Sequence, residues 1–517
     1  MRLNSFILLL SFQLLSMIIS PISFANNLII SNVSLEDRDA GAGTAIVEFD
    51  ISWENSWRNT TNHDAVWVIL KITIAGWDYH RPLSDSGTDP PGTSTGSNDD
   101  IEIYVPSDKM GAFIRPKATS SGPIGSENVR LKIAHGAAGS SVTVRVFGIE
   151  MVYIPQGSFR AGDTSGTASF RQASADTDPW YINSEATIRT NTGSYFYQTG
   201  NNTWEQGQGE TFTIPAAFPK GYNAFYCMKY EVTEGLWVDF IRTIVTGGFD
   251  VYRDVTAASG KNSDAVVNRN TYCQTSAACT GSYGTTSYSS NRPDRAMSYL
   301  SWMDLAAFLD WAALRPMTEL EYEKIVRGPL SALSGEYAWG SASVTAAVTI
   351  STSPETGLET ITTASANANY NNTTFSRGDD FLGSASTQGP LRVGIFATGS
   401  STRVTSGAGY YGVMELSGNV AERVITIGNS AGRNFTGLHG DGAPGGYYGD
   451  ADVTGWPHTD TADAATGVTK ADGSGIRGGN WNDTTAARLA ISDRTTAAKI
   501  DHGRAAGFGG RGVRTYP

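Results

Sequence analysis

A Gly-x-Ser-x-Gly spelling at 92–96 (GTSTG) would suit a serine nucleophile, and a Gly-x-Gly-x-x-Gly spelling at 407–412 (GAGYYG) would suit a dinucleotide phosphate. Neither has the surroundings its chemistry needs. A nucleophile elbow requires a strand before it and a helix after it, whereas GTSTG sits in the aperiodic Gly/Ser/Pro/Asp stretch LSDSGTDPPGTSTGSNDD at 83–100. GAGYYG lacks a βαβ unit and the later acidic partner, so it reads as a turn. The six histidines (His63, His80, His135, His439, His458 and His502) are scattered, with no two at the spacing of a zinc or iron motif. Of the three cysteines, Cys227 lies in the apolar run AFYCMKYEV and reads as a buried free thiol, while Cys273 and Cys279 share the polar loop YCQTSAACTG.

These residues must be held by a chain of 517 residues, enough for two or three domains. Residues 1–25 read as a secretory signal: Arg2 supplies the positive start, 6–19 form an apolar run, and Ser23-Phe24-Ala25 is a small-x-small cleavage site. The apolar run is too short to span a bilayer, and no other segment approaches 18 apolar residues, so no transmembrane segment is expected. The expected location is therefore outside the cytoplasm: extracellular, cell-surface or periplasmic. In that compartment a Cys273–Cys279 disulfide is the default, worth about 2 kcal/mol for so short a loop. The formal charge is −12, from 50 acidic and 38 basic residues, which argues against nucleic acid as a partner.

Residues 26–148 read as an all-β unit. TAIVEFDISW (44–53) alternates apolar and polar positions, AVWVILKITI (65–74) is a fuller apolar run fit for a central strand, and NVRLKIA (128–134) and SVTVRVFGIEMVYI (141–154) complete the pattern. Several short strands between Gly/Pro turns suggest a β-sandwich. The second unit, 149–517, opens at MVYIPQGSFRAGD (151–163). FYCMKYEVTEGLWVDFI (225–241) joins a strand to a helix capped by Thr233, with Leu236, Trp237 and Phe240 on one face. Residues 244–298 read as an insertion. SWMDLAAFLDWAAL (301–314) has helical spacing, and TELEYEKIVRG (318–328) carries a capping box, Thr318 with Glu321, and a Gly328 stop.

Three phrases in this order, RPMTELEYEKIVRG (315–328), GVMELSGNVAER (412–423) and IRGGNW (476–481), resemble the formylglycine-generating (sulfatase-modifying factor) enzyme family. The resemblance spans roughly 151–517 and implies an α+β, loop-rich, C-type-lectin-like fold. It also implies a structural calcium site. Carried over by position, Glu415 and Glu422 would give carboxylates and Gly418 and Val420 backbone carbonyls, a donor set that suits calcium. A second calcium site would use Asn369 and the Tyr370 carbonyl. Two positions depart from the family: its tryptophan before the glutamate is Ala421, and Arg423 follows the glutamate directly. The alternative is a buried turn without metal, in which Arg423 pairs with a carboxylate. Oxidases of the family hold copper on two cysteines shortly after the Gly-Gly pair, and Asp483 and Arg488 stand there in this chain. Neither is a thiolate, the ligand that selects copper(I), so no copper is expected and no catalytic residue is assigned. The iron-binding His-x-x-x-His-x-Glu of the ergothioneine-synthesis branch has no match.

The expectation is an N-terminal all-β sandwich followed by a lectin-like domain that binds an extracellular ligand, protein or carbohydrate. Its binding surface would carry Asn482, Asp483, Arg488, Asp493, Arg494 and His502. The competing expectation is an oxidoreductase or other enzyme of the same superfamily with altered active-site residues. The tail arginines, Arg488, Arg494, Arg504, Arg511 and Arg514, are expected to form ion pairs, and Trp481 to lie in the core.

Overall fold

The computed structural model describes residues 27–516 except 97–98, 135–141, 165–169, 199–204, 208, 256–271, 275–282, 285–287, 352–356, 372–388, 446–447, 460–466 and 501–502. The signal-like segment 1–25, Cys279 and His502 lie outside the described residues, and of Cys273 only the backbone, in the Tyr272–Gln274 strand, is described. The fold is rich in strands and loops, with few helices.

Alternation in Thr44–Arg58 buries Ala45, Val47, Phe49, Ile51 and Trp53 on one face. Its neighbour Ser120–Ala134 buries Val129, Leu131 and Ile133. These strands are the centre of a four-stranded sheet in the order Ile29–Asp39, Thr44–Arg58, Ser120–Ala134, Ser94–Thr95. The GTSTG spelling thus contributes a two-residue edge strand rather than an elbow.

Asp64–Ile74 belongs to a second sheet, and its apolar run from Ala65 to Leu70 is explained by its being covered on both faces. Val66, Val68, Leu70 and Ile72 share a core with the four-stranded sheet. Ala65, Trp67 and Ile69 face the other way, into a larger core with Trp237, Phe240, Phe308 and Trp311. Each such large side chain removed from water contributes on the order of 1.5–3 kcal/mol. The second sheet is antiparallel throughout and runs Arg315–Pro316, Gly512–Thr515, Phe225–Met228, Thr143–Ile154, Asp64–Ile74, Ala112–Pro116, Ile101–Val105, Gly87–Thr88. Thr143–Ile154 pairs with Asp64–Ile74 from Thr143↔Thr73 to Val152↔Asp64, and its last four residues also pair with Phe225–Met228. One sheet therefore runs through residue 148, where the two units meet in sequence.

Helix ends follow their local signals. Thr233 accepts the Leu236 amide at the start of Glu234–Ile244, whose Trp237 and Phe240 are buried while Leu236 is half-buried. Ser301 and Asp304 form a capping box on Trp302–Trp311. On Glu319–Arg327 the Thr318 hydroxyl accepts the Glu321 amide at 3.1 Å, and the Glu321 carboxylate accepts the Thr318 amide at 3.0 Å. Gly328 ends this helix at φ +64, where a Cβ would also meet the Tyr410 ring. The GAGYYG segment is a turn, with Gly407 at φ +69 and Gly412 at φ +93. Among the described residues no helix is long and apolar enough to cross a membrane.

Candidate functional site

The segment 412–424 is a looped turn feeding the strand Glu422–Ile425, which pairs with Ser474–Arg477. Its backbone is pinned from three directions. The Gly418 amide donates to the Gly478 carbonyl, the Asn419 amide to the Asn369 carbonyl, and the Ala421 amide to the Gly507 carbonyl. Gly418 sits at φ +100, and a Cβ there would lie 2.6 Å from the Asn369 oxygen, so only glycine fits. The Asn419 side chain accepts the Leu391 amide and the Asn369 amide group, and it donates to Glu231 at 2.6 Å.

Three carboxylates gather here, fully buried. Glu231 accepts the Val420 amide at 2.9 Å, Glu415 accepts the Gly394 amide at 2.9 Å, and Glu422 accepts the Arg511 Nε at 2.6 Å. Burial, partly offset by Arg511, pushes all three upward: Glu231 well above the usual carboxylate range, Glu415 to about 7, and Glu422 in the same direction. The second oxygens, Glu415 Oε2 and Glu422 Oε2, are buried and receive no hydrogen bond. Among the described residues no N–H or O–H donates to the carbonyls of Gly418 or Val420, both buried residues. Four oxygens without donors on one turn are what a hard cation would use. Asn369 adjoins this turn, its side-chain nitrogen donating to the Gly389 carbonyl and the Asn419 side-chain oxygen, and half-buried Tyr370 follows it.

The cation beside Glu422 is Arg511, not Arg423. Arg423 donates instead to the Leu300 and Gly503 carbonyls. Glu231 escaped the sequence reading, although a lone acid in the apolar run FYCMKYEV was a signal that it has a buried partner.

The 480–494 segment divides into an outer and an inner part. Asp483 accepts the Asn480 amide at 2.8 Å, Asn482 is exposed, and Arg488, its side chain 39% exposed, faces Asp493 at 3.7 Å. Burial raises the Asp483 carboxyl. Asp493 also accepts the Thr495 amide and hydroxyl. Arg494 turns inward, where it is fully buried against Glu319 at 2.7 and 2.9 Å and Glu205 at 3.4 Å. It stacks over Phe170 and Tyr197. The structure therefore brings Asn482, Asp483, Arg488 and Asp493 onto one outer stretch and withdraws Arg494 from it. The other tail arginines are paired too: Arg504 with Asp304, Arg511 with Glu422, and Arg514 with Asp108. Trp481 is buried, its ring N–H donating to the Ala506 carbonyl.

Cys227 is fully buried, its thiol donates to the Met228 carbonyl, and burial pushes its pKa well up. A second acidic group, Asp310, Asp441 and Asp452, also escaped the sequence reading. Asp310 accepts the amides of the other two, and the buried ammonium of Lys71 lies close by, so the fold itself uses these carboxylates.

Residues 147–515, well over half of the chain, match the sulfatase-modifying factor enzyme 1-like domain family. No curated protein matches the chain.

Proposed function

The chain belongs to the sulfatase-modifying factor enzyme 1-like family, and from that premise we propose that it is an exported, non-catalytic binding module. In this reading the two N-terminal sheets form a sandwich and 149–517 a C-type-lectin-like domain. The outer stretch with Asn482, Asp483, Arg488 and Asp493 would meet an extracellular protein or carbohydrate. The observation that carries it is the chemistry at the family's two copper-cysteine positions. Asp483 is a hard oxygen donor occupied in a turn, and Arg488 is a cation facing Asp493. A cation repels a metal ion, and a carboxylate does not select copper(I). No cysteine follows Cys279 in the chain, and the Cys227 thiol is enclosed by protein.

Calcium is proposed as a structural ion on Glu415, Glu422, Gly418 O and Val420 O. The support is the four donorless oxygens, together with three buried carboxylates that have Arg511 as their shared cation. A bound divalent cation would balance the excess negative charge that protons otherwise neutralise.

The test is direct. Purified mature protein incubated with a sulfatase-type cysteine peptide, with and without copper, is expected to leave the peptide mass unchanged. Thiol-to-aldehyde conversion absent from a heat-killed control would overturn the binding reading.

A further inference from the structure

Strand alternation places an unusual pair of cations on the outer face of the 159–214 region. In Phe159–Ala161 the flanking Phe159 and Ala161 are buried and Arg160 points outward. In the partner strand Trp180–Ile182, Trp180 and Ile182 are buried and Tyr181 is 42% exposed, directly across from Arg160. Arg189 is exposed beside buried Ile188, in the short ladder with Thr213–Ile214. Side-chain period 2 thus fixes Arg160, Tyr181 and Arg189 outward as firmly as the core fixes their neighbours inward.

These residues line one hollow of about 560 Å³, within the range of small-molecule sites. The tail arginines all face carboxylates, but Arg160 and Arg189 do not. Among the described residues neither guanidinium has an ion pair or donates a hydrogen bond. Arg160 lies 4.4 Å from the Tyr181 ring centroid. The rings are held: the Tyr181 hydroxyl donates to Ser158 at 2.9 Å, and the Tyr195 hydroxyl donates to the Tyr181 carbonyl at 3.1 Å. Asn183 and Thr192 add an amide and a hydroxyl to the wall.

We propose that this hollow binds an oxyanion-bearing sugar, a uronate or a sulfated saccharide. Two guanidiniums whose N–H groups have no carboxylate or hydrogen-bond acceptor among the described residues offer forked donors that match a carboxylate or sulfate. The exposed tyrosine ring suits the apolar face of a pyranose, and the wall amide and hydroxyl suit its hydroxyl groups. An acidic peptide would use the arginines but leave the aromatic and hydroxyl lining without a role. The hollow shares no residue with the Asn482–Asp493 stretch, so it stands independently of that surface.

The test is titration calorimetry on the full mature chain with trigalacturonate, a sulfated galactose trisaccharide, neutral galactotriose and hexaglutamate. At least one charged sugar is expected to bind, with affinity falling as salt rises. Arg160→Ala and Arg189→Ala are each expected to weaken it roughly tenfold, as loss of a charge-assisted pair does. Arg189→Ala should melt with the parent, because its guanidinium has no ion pair or hydrogen bond to lose among the described residues, and Arg160→Ala only slightly below it, because it loses the stacking on Tyr181. Neutral sugar binding as tightly as charged, both variants binding like the parent, or no charged sugar binding would each overturn the proposal. Binding of hexaglutamate alone would replace it with a peptide site.

Discussion

Glu319→Ala will destabilise the protein by about 3–5 kcal/mol, the cost of stripping the partner from buried charges. Glu319 is fully buried and accepts five hydrogen bonds: two from Arg494, and one each from Arg477, the Thr426 hydroxyl and the Ile427 amide. Burial alone would raise its pKa, but Arg494 and Arg477 outweigh it and hold the carboxyl below the usual range. Removing it leaves Arg477 sharing Glu323 with Arg327, and Arg494 with only Glu205 at 3.4 Å. That loss is comparable with the whole stability of many domains. Arg488→Ala is the contrast. Its pair is partly exposed at 3.7 Å, so its loss should cost under about 1 kcal/mol. Urea unfolding followed by tryptophan fluorescence reads both. Equal midpoints for the two variants would mean that the Glu319 cluster is not a keystone of the fold. The pH dependence has a definite sign. A depressed carboxyl contributes stability above its unfolded value of 4.5, and that contribution is lost as pH falls below it. The gap between parent and Glu319→Ala should therefore narrow in acid.

Calcium will raise the unfolding midpoint of the parent, and Glu415→Gln will invert its own effect between calcium and chelator. A ligand bound only by the folded state adds about 2.7 kcal/mol at a hundred times its Kd. Glutamine keeps the acceptor for the Gly394 amide but removes one of three buried negative charges. In chelator the variant should match or exceed the parent, because it relieves crowded carboxylates. In calcium it should fall below, because it has lost an anionic ligand. Glu422→Ala is the less clean probe, since it also strands Arg511 in either condition. If calcium leaves the parent midpoint where it was, the turn is held by protons and Arg511 alone.

Much of the fold is legible in the order of the residues. The capping box of Thr318 and Glu321, the Thr233 cap and the Gly328 stop are read within four residues of chain, and each forms as spelled. The apolar run at 65–74, interrupted only by Lys71 and Thr73, announces a central strand, and the alternation at 44–53 a strand with one core face. The family phrases at 315–328, 412–423 and 476–481 identify the family because they encode one local scaffold.

What the sequence left open are partnerships across the chain. Glu422 could be placed as a ligand candidate, but its cation was chosen by topology. Arg423, adjacent in sequence, points to the Leu300 carbonyl, while Arg511, 89 residues away, reaches the carboxylate. Glu231 enters the same cluster from 189 residues away through the Val420 amide. Arg488, between Ala487 and Leu489, is partly exposed, while Arg494, between Asp493 and Thr495, is buried on Glu319, the reverse of what the flanking residues suggest. The sheet likewise passes through residue 148 because Thr143–Ile154 has two edges, and a sequence pattern records burial without recording which strand lies on either side. Periodicity fixes which way a side chain points. Only the closed tertiary structure, where a buried charge must find a partner or be neutralised, decides what it points at.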